Sequence, residues 1–342
     1  MIRGAPPRPG ARVRAVGAAR GQRAVTNAEV AGPINSSDDW IRSRTGIKTR
    51  ARAGAEVSLL DLAEQASQAA LAQASLAAEQ IDAVVFASVT HFQQTPAAAP
   101  VLAQRIGAGG AAAFDLNAAC AGYCYGIGLA DSLVRSGAAT NVLVVGADKL
   151  SEFIDPADRT ISFILGDGAG AAIVSPSDQP RVGPTVWGSD GAKAAAVGQD
   201  ISFREAVATG KWPTLRQAGP TVYKWAVFEI AKAAQRAIAA AGLGPEQIDV
   251  FIPHQANLRI IEQQVKRIGL GPATLVASDI VDTGNTSAAS IPLATERLLR
   301  DHPEAAGKTA LQVGFGAGLA YAAQVVELPP APADQPQPEA RK

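Results

Sequence analysis

Cysteine is scarce in this chain, histidine almost as scarce, and neither sign of charge is in excess. Two cysteines in 342 residues cannot build a disulfide framework. Cys120 and Cys124 would stand one turn apart on a helix, which suits a reducing compartment. Lys plus Arg number 31 and Asp plus Glu number 31, so charge gives no case for nucleic acid as a partner. No apolar run reaches the length of a membrane span. The stretch Met1 to Arg14 is rich in Pro, Gly and Arg and lacks the apolar core of a signal peptide. These absences point to a soluble protein of the cytoplasm. No group of His, Cys and carboxylates has metal-ligand spacing, so no metal is expected. What is present is a chain that is 47% apolar, long enough for one large or two medium domains.

Apolar strands alternate with Ala-rich helices. Strands are expected at 83–89, 141–145, 171–174 and 250–253, and helices at 58–72, 222–241 and 287–300. Ser58 and Asp61 are spaced as an N-terminal capping box. Such alternation argues for layered α/β. The chain also repeats itself. Ala70 to Asp82 recurs as Ala237 to Asp249, in each case a helix end, a turn and an apolar strand. Gly166 to Ala172 echoes Gly314 to Ala320. Two echoes in the same order predict duplicated halves, 13–178 and 179–328, joined near Pro176 to Pro184. A flexible segment 1–12 and a Pro-rich disordered tail 329–342 flank them. In a duplicated fold, sites form where the halves meet.

Cys120 lies in Phe114-Asp-Leu-Asn-Ala-Ala-Cys120-Ala-Gly-Tyr123, where an extended stretch turns into a helix of small residues. A thiol at a helix N-terminus meets unpaired N–H groups and the positive end of the dipole. Both favour thiolate, the nucleophilic form. His254 follows the strand 250–253 in the opposite half, within reach of the interface between halves. On composition alone His254, like His91 and His302, reads as a satisfied or solvated histidine. Asn285, in Asp282-Thr-Gly-Asn285-Thr-Ser-Ala-Ala-Ser290, reads as a helix cap or as an amide aimed into a site. Gly314 to Gly318, with Gly316, Ala317 and Gly318, offers backbone N–H groups to a developing oxyanion. Neither this run nor Gly166 to Gly170 fits G-x-G-x-x-G, which sets a nicotinamide enzyme aside.

Together these segments resemble 3-oxoacyl-[acyl-carrier-protein] synthase III, the ketosynthase that starts type II fatty acid synthesis. The resemblance is carried by Ala-Ala-Cys120-Ala-Gly, Pro-His254-Gln-Ala-Asn257-Leu-Arg-Ile-Ile and Thr-Gly-Asn285-Thr-Ser-Ala-Ala-Ser-Ile-Pro. Trp40-Ile-Arg-Ser-Arg44-Thr-Gly-Ile47, Asp158-Arg159 and the Gly-rich segments add to it, and it runs from Val13 to Leu328. It implies the thiolase fold, five α-β-α-β-α layers made from two similar halves, and a homodimer. It further implies that Cys120 takes an acyl group from acyl-CoA and that malonyl-ACP follows. His254, in its neutral form, and Asn285 would hydrogen-bond the enolate formed by decarboxylation. Attack on the acyl-cysteine would leave 3-oxoacyl-ACP. No cofactor is implied beyond the coenzyme A thioester, which is substrate.

By the same resemblance, Trp40 and Arg159 match positions that sandwich the adenine of CoA, and Arg44 and Asn257 match further CoA-binding positions. Thr95 matches a residue reaching into the partner subunit's acyl pocket. It is smaller than the aromatic found there in some members, which implies a primer larger than acetyl. Arg259, Lys266 and Arg267 recur at near-helical spacing and would either dock acidic ACP or form a solvated basic face. Departures from the family fall at Gly17 to Gln22, at Ala31-Gly-Pro33 and over 189–213. A rival reading keeps Cys120 as acyl acceptor but passes the acyl group to an alcohol or amine without condensation.

Overall fold

The computed structural model describes residues 6–332 and contains two five-stranded sheets built alike. The first has the order Gly10–Arg20, Asp167–Ser177, Val142–Lys149, Ala83–Ala87 and Ala112–Leu116. The second has the order Val186–Ser189, Ala320–Glu327, Thr309–Gly316, Val250–Pro253 and Leu275–Val276. Read from these edges, each sheet pairs antiparallel twice and then parallel twice. Val142–Lys149 is buried along its whole length, because helices cover both faces of the sheet.

Helices form three layers around the sheets. Leu59–Ala74 and Ala98–Ile106 cover the outer face of the first sheet. Gly219–Ala240 and Leu258–Ile268 cover the outer face of the second. Between the sheets lie Gly122–Arg135 and Ser290–Asp301. The result is the five-layered thiolase fold. Small residues let the layers close. A Cβ on Gly17 would lie 2.1 Å from Ala66 O, so the strand passes directly against the helix backbone. Ser58 Oγ accepts from Asp61 N–H (3.2 Å), and Asp61 Oδ2 accepts from Ser58 N–H (2.8 Å). This capping box starts the helix whose Leu62, Ala63, Ala66 and Ala70 face is buried. Losing such a cap costs about 1 kcal/mol.

The first echo is structural. Ala78–Gln80 and Pro245–Gln247 are equivalent 3₁₀ turns leading into the equivalent strands Ala83–Ala87 and Val250–Pro253. The second echo is out of register. Gly146 pairs with Gly170, and Gly314 pairs with Ala322, so Gly170 corresponds to Ala322 and not to Gly318. Ordered structure also starts earlier than the expected flexible segment 1–12 allows. The first strand begins at Gly10, and Arg8 Nη1 donates to Ala139 O (2.8 Å). At the other end, Pro330 O accepts from Gln73 Nε2 (2.7 Å) and Ala331 packs on the central core, so residues 329–332 are held. The rest of the expected tail, 333–342, lies outside the described residues, as do residues 1–5. Among the described residues no helix is long and apolar enough to cross a membrane.

Candidate active site

Two turns converge between the sheets. After Ala112–Leu116 the chain makes the 3₁₀ turn Ala119–Ala121 and enters Gly122–Arg135. After Leu275–Val276 and a short helix, it makes the 3₁₀ turn Ser287–Ala289 and enters Ser290–Asp301. The helix expected from Ser287 therefore becomes α-helical only at Ser290. Both turns open the same way. Asn117 Oδ1 accepts from Ala119 N–H (3.3 Å), and Asn285 Oδ1 accepts from Ser287 N–H (2.9 Å). Ala119 (φ 46°) and Ser287 (φ 51°) both sit in the left-handed region, at a cost of roughly 1–3 kcal/mol each. Each turn rests on a glycine of the other half. A Cβ on Gly314 would lie 3.0 Å from Ala121 Cα, and one on Gly146 would lie 2.3 Å from Ala288 O.

Cys120, His254 and Asn285 line one cavity between these turns, together with Ser287, Gly316 and Ala317. Most of the remaining wall is apolar, with Val89, Leu150, Leu165 and Phe315 contributed by the body of the fold. Gly316 is where the cysteine needs space, since a Cβ there would lie 2.8 Å from Cys120 Cβ and 3.0 Å from Sγ. Gly318 lies outside the lining. Val197, Leu215 and Gln217 close one wall. Val197 lies within the 189–213 stretch that departs from the family, and Leu215 and Gln217 follow it.

Helix position is one of two opposed influences on the Cys120 thiol. Burial pushes the Cys120 thiol up to about 12, and the charge of Asp148 adds to the rise. Ser287 and the backbone N–H of Cys120 act in the opposite direction without overcoming it. Desolvation of the thiolate therefore opposes the helix terminus at Cys120. His254 is lowered to about 3 by burial and is neutral at pH 7. Its Nδ1 lies 2.7 Å from Ser290 Oγ, and its ring meets Phe315 edge-to-face at 5.2 Å. Ser290 Oγ also accepts from Gln255 N–H (3.3 Å) and has one proton of its own to give. When Ser290 gives that proton to Nδ1, the imidazole carries its own on Nε2. Asn285 Oδ1 caps its turn, and the residue also lines the cavity. The other two histidines are spent elsewhere. His91 Nε2 lies 3.2 Å from Pro96 O, and His302 Nδ1 lies 3.1 Å from Glu304.

The residues matched to CoA binding cluster on the surface nearby. Ser37 caps the helix Asp38–Thr45, which carries Trp40 and Arg44. The Arg44 and Arg159 guanidiniums lie 4.7 and 4.6 Å from the indole centroid. A base stacked between the indole and Arg159 needs about 7 Å, twice a van der Waals contact. Arg159 must therefore swing aside for the sandwich to form. Asn257 makes its polar contacts within the protein. Its oxygen accepts from Arg259 N–H (2.9 Å) and its NH₂ donates to Arg44 O (3.0 Å). It caps the helix Leu258–Ile268 and fixes the backbone that carries Arg44.

Arg259, Lys266 and Arg267 lie on the exposed face of Leu258–Ile268, with Arg267 stacked 3.8 Å over Phe228. Thr95 is exposed and does not line the cavity of its own chain. Its loop leads into a helix whose Ala98 and Ala99 N–H groups donate to Asp115 in the edge strand (2.9 and 2.8 Å). Phe92 in the same loop packs on Trp212 and Phe203 (5.1 and 6.1 Å). Sequence reasoning missed Asp148, Ser287 and Ser290. The spacing Asn117-x-x-Cys120 against Asn285-x-x-Ala288 is a third echo, which aligns Ser287 with Ala119 and Ser290 with Gly122 and gives no sign of Asp148.

Comparison with known proteins agrees with this layout. The family described as 3-oxoacyl-[acyl-carrier-protein (ACP)] synthase III matches residues 114–191, and its C-terminal part matches 238–328. Beta-ketoacyl-[acyl-carrier-protein] synthase III of Kocuria rhizophila is 52% identical, covering 93% of this chain and 96% of its own. Beta-ketoacyl-[acyl-carrier-protein] synthase III 1 of Streptomyces coelicolor is 50% identical, covering 94% and 97%. Among solved structures, the priming beta-ketosynthase of the R1128 polyketide pathway superposes with a TM-score of 0.93 at 42% identity, covering 97% of this chain and 99% of its own. The first matched stretch holds Cys120, the second holds His254 and Asn285, and the likeness spans nearly the whole chain: it belongs to the 3-oxoacyl-[acyl-carrier-protein] synthase III family.

Proposed function

We propose a division of labour between the halves for the initiating condensation that this family performs. Cys120 Sγ attacks the carbonyl of acyl-CoA, and the tetrahedral oxyanion is met by backbone N–H groups of Cys120 and the Gly316–Ala317 segment. CoA leaves as the thiol, and the acyl group remains as a thioester. Malonyl-ACP then places its thioester carbonyl against His254 Nε2–H and Asn285 Nδ2–H. Loss of CO₂ moves charge onto that oxygen, so both donors act most strongly in the transition state. The resulting carbanion attacks acyl-Cys120, which yields 3-oxoacyl-ACP and restores the thiolate to be reprotonated.

One observation carries this reading. A nucleophile from one half and two neutral donors from the other line the same largely apolar cavity. A plain acyl transfer to an alcohol or amine has less need of paired donors, since it forms no enolate. The neutrality of His254 (pKa about 3) fits a hydrogen-bond donor and does not fit a cationic clamp. Malonyl-ACP decarboxylation by the purified protein tests it: CO₂ release is expected, and its absence would leave only the acyltransferase.

Trp40, Arg44 and Arg159 hold the CoA adenine end in this reading, and the basic face with Arg259, Lys266 and Arg267 meets ACP. A homodimer formed through the open edge strand Ala112–Leu116 completes it. Phe114 on that strand is 37% exposed, and Asp115 on it anchors the helix that follows Thr95. Thr95 would thus project toward the partner's cavity and leave room for a branched primer. Relative rates with isobutyryl-CoA and acetyl-CoA test this, and a strong acetyl preference would overturn it.

A further inference from the structure

Arg159 carries the guanidinium that must leave the Trp40 indole before a base can stack there. The residues on either side of it are engaged elsewhere. Asp158 Oδ2 lies 2.6 Å from Arg216 Nη1, and Arg216 Nη2 reaches Asp155 at 3.2 Å. Asp158 also turns the chain, accepting from Thr160 N–H (2.8 Å) and Thr160 Oγ1 (2.9 Å). Thr160 O in turn accepts from Gln217 Nε2 (2.6 Å). Ile161 then lines the cavity that holds Cys120. Consecutive residues of one loop thus touch the indole, the strand Leu215–Gln217 and the cavity.

Leu215–Gln217 pairs with Val197–Gln199 as a two-stranded ribbon. Alternation along the strand turns Leu215 and Gln217 to the cavity and Arg216 to the loop. Val197, opposite Gln217 in the pairing, lines the cavity too. Two further bonds tie the ribbon to the start of the same loop. Leu215 N–H donates to Phe153 O (3.0 Å), and Trp212 Nε1 donates to Glu152 O (3.0 Å). Among the described residues, Arg216 is the only cation paired with the Asp158 carboxylate, which is 5% exposed. Lys211 is taken by Asp200 (2.7 Å). Removing Arg216 would leave a nearly buried carboxylate without its counter-charge beside Arg159.

We propose that Arg216 is a positioning residue that makes the shape of the acyl wall depend on the base bound at Trp40. When a base displaces Arg159, the loop 155–161 shifts. The Arg216 ion pairs and the Gln217 bond carry Leu215 and Gln217 with it. The wall then takes one form with a donor that bears a nucleotide and another with a donor that lacks one. Coupling of this kind is reciprocal, so an acyl group that fits the first form also tightens binding at Trp40. Acyl selectivity therefore depends on the carrier as well as on the acyl group. A carrier-protein arm ends without a base, so the selective form accompanies loading and not extension. The inference rests on Cys120 being the acylated residue and on Trp40 and Arg159 holding the CoA base.

The test uses acetyl and isobutyryl thioesters of CoA and of pantetheine, which lacks the nucleotide. Loading of Cys120 is followed in single turnover by intact-protein mass spectrometry, and the isobutyryl-to-acetyl rate ratio is compared on the two carriers. In wild type the ratios are expected to differ about tenfold between carriers. In Arg216→Gln they should coincide. In Arg216→Lys, which keeps a cation beside Asp158, they should separate again. Carrier-dependent rates with equal ratios in wild type would overturn the inference without any variant. A fall of all four rates in Arg216→Gln with the difference intact would also overturn it, because that pattern marks a structural role. Rates in wild type that ignore the nucleotide altogether would defeat the CoA role of Trp40 and Arg159, and the inference with it. Failure of wild type to load from either carrier would defeat the assignment of Cys120.

Discussion

Beside Cys120, on the turn of the first half, stands Gly316. Beside Ala288, on the equivalent turn of the second half, stands Asp148. The two central strands present these residues at corresponding positions, two places after Gly314 and Gly146. A second exchange accompanies the first. His254 is held by Ser290 at 2.7 Å, whereas at the corresponding positions Ala87 lies against Gly122, where a Cβ would be 2.7 Å from that of Ala87. Asn117 and Asn285 are the part left unchanged, each capping its turn. The halves have therefore diverged by pairs. A nucleophile comes with a glycine that makes room for it, a histidine with a serine that orients it, and each gain in one half is matched by a small residue in the other. Duplication brings two equivalent turns into contact, and the asymmetry of these pairs gives the cavity a cysteine side and a histidine–asparagine side; in the proposed function these hold the acyl group and the enolate.

Removing one side while keeping the other should separate the two half-reactions. The largest effect is expected from Cys120→Ala. It should abolish acyl loading and lower condensation by at least about 10³-fold, with malonyl-ACP decarboxylation retained. Mass spectrometry and CO₂ release report the two separately, and loss of both would break the division. On the other side, His254→Ala and Asn285→Ala should each slow decarboxylation about 10²–10³-fold while Cys120 still loads. Gly316→Ala tests the pairing itself. Its Cβ would press on Cys120 at 2.8 Å, so acylation should drop, at a stability cost of about 1–3 kcal/mol, read by thermal denaturation. Trp40→Ala lies outside the duplicated core and should raise the KM for acyl-CoA about tenfold, with kcat little changed.

A separate effect is expected on stability in acid. His254 is lowered in the fold to about 3 from 6.5, so the unfolded chain takes up its proton first. Its contribution is complete above about pH 6.5 and is lost as pH falls toward 3. Denaturation midpoints across that range should fall less steeply in His254→Gln than in wild type. An unchanged slope would show that the imidazole is not buried neutral.

Cys120, His254 and Asn285 were legible because each stands where an element ends and carries a distinctive run of neighbours. The duplicated halves were legible at Ala70–Asp82 and Ala237–Asp249, since a helix end, a 3₁₀ turn and a buried strand constrain sequence strongly. The Gly166 and Gly314 runs misled, because glycine is demanded wherever backbones approach closely and carries no register of its own. Asp148 and Ser287 escaped notice for a physical reason: their meaning lies in an approach between strands and turns more than a hundred residues apart. The thiol's upward shift escaped for the same reason. A helix N-terminus is visible in sequence, whereas the desolvation that opposes it arises only when both halves close over Cys120.

The central claim is that the halves hold different parts of one condensation, and one experiment addresses it most directly. Purified protein is incubated with acyl-CoA, weighed intact, mapped to the modified residue, and then given malonyl-ACP. The account requires a single acyl adduct on Cys120 that is discharged into 3-oxoacyl-ACP. An adduct absent, located elsewhere, or released without the two-carbon extension would contradict it.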